Sequence, residues 1–287
     1  MTEHSESEAQ RCPSGGDCGS CGGKCHDETR QIHENLKGVS HIYLVMSGKG
    51  GVGKSTVSAN LAASLCLRGL RVGLLDVDFH GPSIPKMLGL EGAQLYAEGE
   101  KLVPVEMGSL NLKVMSIGFT LSQADQAVIW RGAMKHGIIR QLLGDVLWGD
   151  LDALVIDTPP GTGDECLSTC QLLPQADGAV LVTTPQQVSA SDVSKSLDFL
   201  RQLSMPILGV VENMSGFACP HCGEVTEIFS RGAGEELARK YGIPFLGRLP
   251  LDPQICAGGD AGEPFVERYA SSATAKGFEG IVDKLLG

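Results

Sequence analysis

The residues Gly48-Lys49-Gly50-Gly51-Val52-Gly53-Lys54-Ser55-Thr56 satisfy the pattern G-x-x-x-x-G-K-[ST], which is suited to holding phosphate. Its glycines permit a tight turn whose successive N–H groups can surround anionic oxygens at the positive end of a helix. Lys54 is placed to reach β- and γ-phosphates, and the Ser55 hydroxyl to ligate Mg2+. Both flanks agree, with the apolar run HIYLVMS before the loop and a helical pattern over Lys54–Arg68 after it.

Acidic residues follow at two further places. In Leu75-Asp76-Val77-Asp78, strand alternation predicts Asp76 and Asp78 on one face at the carboxyl end, where open α/β sheets place ligands. One carboxylate could enter a magnesium shell while the other holds an attacking water. The run LVIDTPPG ends a hydrophobic strand in Asp157, the Walker B pattern, and suits Mg2+ bound through water. In the TPPGTGD loop, Gly161 can bring a backbone N–H close to a γ-phosphate. Asn213, in VVENMS, can donate and accept at once, which suits the adenine edge.

The ten cysteines carry a second chemistry. Cys219-Pro220-His221-Cys222 is a C-x-x-C pair that could serve as zinc knuckle, redox dithiol or iron–sulfur ligand. Two thiolates half-fill a tetrahedral site, and His221 and Cys256 are the nearest additional donors. A two-fold axis through two copies would instead bring four thiolates together, enough for a [4Fe–4S] cluster. The surrounding Gly and Pro disfavour a redox dithiol, which opens a helix. Near the N-terminus, Cys12, Cys18, Cys21 and Cys25 offer four thiolates within one chain, with His26 in reserve. Glycines at 15, 16, 19, 22 and 23 let that segment wrap a metal. Cys66, Cys166 and Cys170 fall in helical patterns and are expected as buried small hydrophobes, and Cys256 as structural.

These residues need a scaffold, and 287 residues with 42% hydrophobic content can build one. Strands are predicted at His41–Ser47, Arg71–Val77, Asn111–Ile117, Asp152–Asp157, Gly178–Thr183, Pro206–Glu212 and Pro244–Leu249. Helices are predicted at Lys54–Arg68, Met134–Leu147, Asp164–Leu173, Ser189–Leu203, Ala233–Tyr241 and Ala273–Leu286. The alternation reads as an α/β fold with a doubly wound, mostly parallel sheet, and Leu90–Val105 as an inserted hairpin. Residues 1–40 show no periodic apolar pattern, so the chain divides into a Cys-rich segment at 1–36 and an ATPase domain at 37–287.

A net charge of −11 without a basic cluster argues against a nucleic-acid surface. No apolar run is long enough for a membrane span and the N-terminus is polar, so a cytoplasmic protein is expected. Disulfides are rare there, which leaves metal binding to explain the cysteines.

The loop GKGGVGKST, with its extra Lys49, resembles the deviant Walker A of the MinD/ParA/nitrogenase-iron-protein class. The resemblance implies that Lys49 crosses a dimer interface to the partner's nucleotide, that Asp76 belongs to the metal environment, and that Asp78 positions water. Related ATPases set an asparagine against adenine where Asn213 stands. Together with DVDFHGPS, WRGAMK at Trp130–Lys135, DTPPGTGD and ENMSGFACPHCG, the chain from Lys37 onward is similar to the Mrp/ApbC family of iron–sulfur cluster carrier ATPases. That family implies a homodimer bridging a labile [4Fe–4S] cluster through Cys219 and Cys222 of each subunit. The cluster passes to apo-proteins, with assembly factors as partners and slow ATP hydrolysis coupled to loading or transfer. Cytosolic scaffolds of the family carry an N-terminal cysteine segment of different spacing. A second [4Fe–4S] cluster at Cys12, Cys18, Cys21 and Cys25 follows from the likeness, with zinc as the alternative. The competing readings are a MinD/ParA-like spatial regulator, a nickel-type metal-insertion ATPase, and a protein with structural zinc. The C-terminal SSATAKGFEGIVDKLLG has only two lysines, which disfavours a membrane-binding helix of the MinD kind.

Overall fold

The computed structural model describes residues 24–120, 132–219, 222 and 224–287. The chain begins with α1 (Lys24–Leu36), β1 (Ile42–Ser47), α2 (Lys54–Leu67), β2 (Val72–Asp76) and the short α3 (Ile84–Met87). The antiparallel hairpin β3 (Tyr96–Glu98) and β4 (Lys101–Val103) is the insertion expected between Leu90 and Val105. Next come β5 (Val105–Met107), β6 (Leu112–Ser116), α4 (Gly132–Gly144), β7 (Ala153–Asp157) and α5 (Asp164–Leu172). Then follow β8 (Gly178–Thr183), α6 (Gln187–Gln202) and β9 (Ile207–Glu212). A small hairpin of β10 (Phe217–Ala218) and β11 (Val225–Thr226) precedes α7 (Ala233–Tyr241) and β12 (Phe245–Arg248). The chain closes with α8 (Pro253–Ala261), α9 (Phe265–Arg268) and α10 (Ala273–Leu286).

Eight strands form one sheet in the order β12-β9-β8-β1-β7-β2-β6-β5. Its pairings are parallel except where β5 meets β6 at the edge. Parallel strands need crossover helices on both faces, so both faces of a central strand are buried and its sequence runs apolar without a break. Every residue of β1, β2, β7 and β8 is accordingly buried. The period-two alternation survives inside that burial. Leu44, Met46, Leu75 and Ile156 join Leu142 and Leu197 in one core layer, whereas Tyr43, Val45, Leu74 and Val155 join Leu61 and Phe278 in the other.

The N-terminal stretch departs from its reading as aperiodic through residue 40. Ile32 and Leu36, four apart and so on one face of α1, are 0% and 3% exposed in the first core layer. Asn35 Nδ2 donates to the Leu143 and Val146 carbonyls at 2.9 Å each, satisfying backbone acceptors at the end of α4. Gln31 Nε2 donates to Asp145 Oδ1 at 2.8 Å. Two apolar residues set among the charged and polar side chains of DETRQIHENLKG are too few to show as a periodic pattern in the sequence.

Removing residues 1–36 therefore strips a packed helix, whereas removing 1–23 spares it. Uncovering the core beneath Ile32 and Leu36 forfeits burial of about 1.5–3 kcal/mol for each side chain. The shorter protein is expected to melt about 10 °C below the longer one, at roughly 2–4 °C per kcal/mol. Equal melting temperatures by circular dichroism would show that α1 contributes nothing to the core.

Candidate functional site

The carboxyl ends of β1, β2, β7 and β9 meet on one side of the sheet. In the turn leaving β1, Gly51 and Gly53 take positive φ, 79° and 80°, which opens the loop before α2 starts at Lys54. The Val57 N–H donates to the Gly53 carbonyl at 2.9 Å, so the helix is hydrogen-bonded from its first turn.

Lys54 is only 6% exposed and points inward. Its Nζ donates to Asp157 Oδ1 at 2.7 Å and stands 3.8 Å from Asp78 Oδ2. Ser55 Oγ donates to Asp157 Oδ2 and Ser58 Oγ to Asp157 Oδ1, each at 2.6 Å. Asp76 and Asp157 are register partners on adjacent strands, which sets their carboxylates side by side. Asp76 accepts from Ser116 Oγ at 2.8 Å and from the Asp78 N–H at 3.0 Å. Burial first, and the neighbouring Asp157 charge second, push the Asp76 carboxyl up to about 8. Three buried acids thus share a site with one amine, an excess of carboxyl oxygens over cations that a divalent cation could balance.

One detail of this convergence differs from expectation. β2 stops at Asp76, so Asp78 reaches the site through a turn, closed by the Asp78 N–H on the Asp76 carboxylate, and not by strand alternation. Lys49 is half-buried and takes part in none of the ion pairs around Lys54. The loop after β7 is tied beneath the phosphate loop: the Gly161 N–H donates to the Ser47 carbonyl at 2.7 Å, and Thr158 Oγ1 to the Val45 carbonyl at 3.0 Å.

Asn213 Nδ2 donates to the Val52 carbonyl at 2.9 Å, inside the phosphate loop. The same residue lines a cavity of about 330 Å3 with Gly53, Thr56, Lys86, Met214 and Leu251. That volume lies in the range of small-molecule sites. Cys256, expected to be structural, is exposed and lines this cavity, because α8 turns it outward.

Cys219 and Cys222 sit at the turn of the β10–β11 hairpin, whose closing bond runs from the Cys219 N–H to the Glu224 carbonyl at 2.9 Å. Cys222 is exposed and Cys219 half-exposed. Among the described residues, no group of three or more His, Cys, Asp or Glu is placed to hold a metal ion. Cys12, Cys18 and Cys21 lie outside the described residues, as do His221, Trp130 and Arg131, while Cys25 falls in the first turn of α1. Cys66, Cys166 and Cys170 are buried as expected, and burial pushes their thiols up to about 12, 11 and 12.

Three features had no motif to announce them. Ser58 and Ser116 complete the hydrogen bonding of Asp157 and Asp76. The Cys166 thiol donates to the Pro159 and Gly161 carbonyls at 3.2 and 3.3 Å, bracing the loop after β7. Glu165, beside that loop, pairs with Lys135 of α4 and lies 3.3 Å from His80 Nε2, just past Asp78. Against the upward push of burial, the Lys135 amine holds Glu165 below its usual value.

The family described as NUBPL iron-transfer P-loop NTPase, of the ParA group, matches residues 38–286. The chain belongs to this family. A relative in Saccharolobus solfataricus named iron-sulfur cluster carrier protein is 50% identical over 256 residues, 89% of this chain and 86% of that protein. Another of that name in Methanocaldococcus jannaschii is 48% identical over 278 residues, 96% of both chains. Human cytosolic Fe-S cluster assembly factor NUBP2 is 49% identical over 255 residues, 88% of this chain and 94% of that one. Among solved structures, the nucleotide-binding protein of Archaeoglobus fulgidus in complex with ADP superposes with a TM-score of 0.74 at 44% identity. That match covers 83% of this chain and 92% of the other. The MinD cell-division ATPase of Pyrococcus furiosus, at 24% identity and a TM-score of 0.63, shares the fold of this NUBPL-family chain. Within that α/β fold, the Lys54–Asp157 cluster stands at the sheet end where P-loop NTPases bind phosphate. No helix among the described residues is long and apolar enough to cross a membrane.

Proposed function

We propose that this chain is a cytoplasmic, ATP-dependent carrier that binds a [4Fe–4S] cluster between two copies of itself and delivers it to apo-proteins. The observation that carries the reading is the presence, in one chain, of a phosphate loop over a buried acid cluster and an exposed thiol pair on a hairpin rooted beside it. Relatives of about half identity named as cluster carriers and cytosolic assembly factors support it.

In this reading Gly48 to Thr56 wrap the phosphates, with backbone N–H groups and the α2 dipole supplying the attraction. Lys54 leaves Asp157 and Asp78 to meet the β- and γ-phosphates. Ser55, Asp76 and Asp157 would hold Mg2+, which neutralises phosphate charge when bound. Asp78 orients the attacking water, and Lys49 delivers a second cation across the dimer axis. The adenine enters the cavity against Asn213. Cys219 and Cys222 supply two thiolates per copy, so a dimer completes the four ligands of a cluster. Cys12, Cys18, Cys21 and Cys25 hold a second cluster within each copy.

Iron analysis with Mössbauer or EPR spectra on anaerobically reconstituted protein tests this. Changing Cys219 and Cys222 together to serine should remove one cluster per dimer and lower the dimer fraction in gel filtration. Unchanged iron and unchanged dimer would overturn the bridge. Zinc bound stoichiometrically in place of iron would favour a structural role for the cysteines.

A further inference from the structure

The thiol hairpin and the phosphate loop are joined through two adjacent residues at the end of β9. Asn213 faces the nucleotide side: its amide donates to the Val52 carbonyl, and a Cβ on Gly53 would stand 2.3 Å from its Nδ2. The Asn213 side chain therefore packs directly against the backbone of the phosphate loop at Val52 and Gly53. Glu212 faces the hairpin side. Its carboxylate is fully buried and accepts from Ser215 Oγ at 2.6 Å, the Gly232 N–H at 3.1 Å, the Gly234 N–H at 2.7 Å and Arg248 Nε at 3.2 Å.

Ser215 and Gly232 lie at the two ends of the excursion that carries Cys219 and Cys222, so one carboxylate holds both ends. The backbone is unusual at the same two places. Met214 and Gly216 have φ of 58° and 79° at the exit, and Ser230 and Gly232 have 66° and 93° at the return. Left-handed conformations at non-glycine residues cost energy and persist only where neighbouring contacts hold them. Paired at both roots of one segment, they are where a hinge would be placed. Met214, the first of them, lines the 330 Å3 cavity beside Asn213.

We propose that Glu212 and Asn213 form the joint through which nucleotide occupancy reaches the thiol pair, with Glu212 as a positioning residue for the hairpin. A nucleotide pressing on Gly53, Asn213 and Met214 shifts the root of the excursion, and the Glu212 carboxylate turns that shift into a new setting of Cys219 and Cys222. By linkage, occupation of the thiols then alters nucleotide affinity by the same factor. The inference rests on the reading that phosphate loop and cavity hold ATP.

The test measures alkylation of Cys222 by N-ethylmaleimide in the full-length apo-protein, resolved by peptide mass spectrometry, with and without saturating Mg-ATP. In the wild type, ATP should change the Cys222 rate by at least about fivefold, the lower end of ordinary coupling between sites. In Glu212→Gln, ATP should bind within about twofold of wild-type affinity while its effect on Cys222 falls below about twofold. The milder Ser215→Ala removes one root contact and should weaken the effect in the same direction, should Glu212→Gln fold poorly. A purely structural Glu212 would change the rate equally with and without ATP and leave the ratio intact. An intact ratio in both variants, or no ATP effect in a wild type that binds ATP, overturns the joint. Failure of the wild type to bind ATP overturns the nucleotide reading itself.

Discussion

Replacing Lys54 by alanine should lower ATP affinity by more than about 100-fold. Hydrogen bonds to charged groups contribute about 1.5–3 kcal/mol each, and a lysine bridging β- and γ-phosphates makes two. Every 1.4 kcal/mol is about tenfold in affinity, which gives the figure. The nucleotide-free protein should suffer as well. Lys54 is the buried amine that stands against Asp157 and Asp78, and its loss leaves a hydrogen-bonded carboxylate without its cation. Breaking such a pair from one side costs about 3–5 kcal/mol. Titration calorimetry should thus show lost binding, and a thermal melt a lower midpoint. A second substitution, Asp157→Asn in the Lys54→Ala background, should restore part of the midpoint without restoring binding. Unaltered ATP affinity in the single variant would sink the phosphate-loop assignment.

A Gly48→Ala change is the second large effect. An alanine Cβ there would lie 2.4 Å from the Asp192 carbonyl carbon and 2.6 Å from the Val193 nitrogen, both backbone atoms of α6. Backbone cannot swing aside as a side chain can, so β1 and α6 must separate. Overpacking of this kind costs about 3 kcal/mol, or roughly 10 °C in melting temperature for a chain of this size. Gly51→Ala is the informative contrast. Its Cβ meets nothing within 4 Å, and only its φ of 79° resists, so about 1 kcal/mol is expected. Similar melting temperatures for both variants would show that the space between Gly48 and α6 is not what requires glycine there.

That contrast marks what the motif could and could not convey. The pattern G-x-x-x-x-G-K-[ST] places the glycines, yet the reason for Gly48 is a contact with a helix far along the chain. The buried parallel strands were readable because continuous apolar runs such as AVLVTT have few other homes, and β8 spans Gly178–Thr183 as expected. Short elements escaped. α1 announced itself through little beyond Ile32 and Leu36, and α8 only through its ends, Asp252 as cap before Pro253 at the start and Gly262 at the stop, since the adjacent glycines in PQICAGGDA weaken its interior. In the site, Lys54, Ser55, Asp76, Asp78 and Asp157 were legible from strand ends and the loop motif, and the structure gathers them. Ser58, Ser116, Glu165 and Glu212 were not, since a lone serine or glutamate gains its role from a neighbour that only folding supplies.

The central position of β1 has a consequence for how the protein comes into being. β1 is flanked by β7 on one side and β8 on the other, both encoded far downstream. Loop-closure entropy makes such distant parallel pairings slow to form. While the chain emerges from the ribosome, an early-made apolar strand waits with both edges open, the condition in which nascent chains associate wrongly. The phosphate loop, though near the start of the sequence, takes its partners from Asp157 and Asn213, so its surroundings are complete only once the second half of the chain is in place.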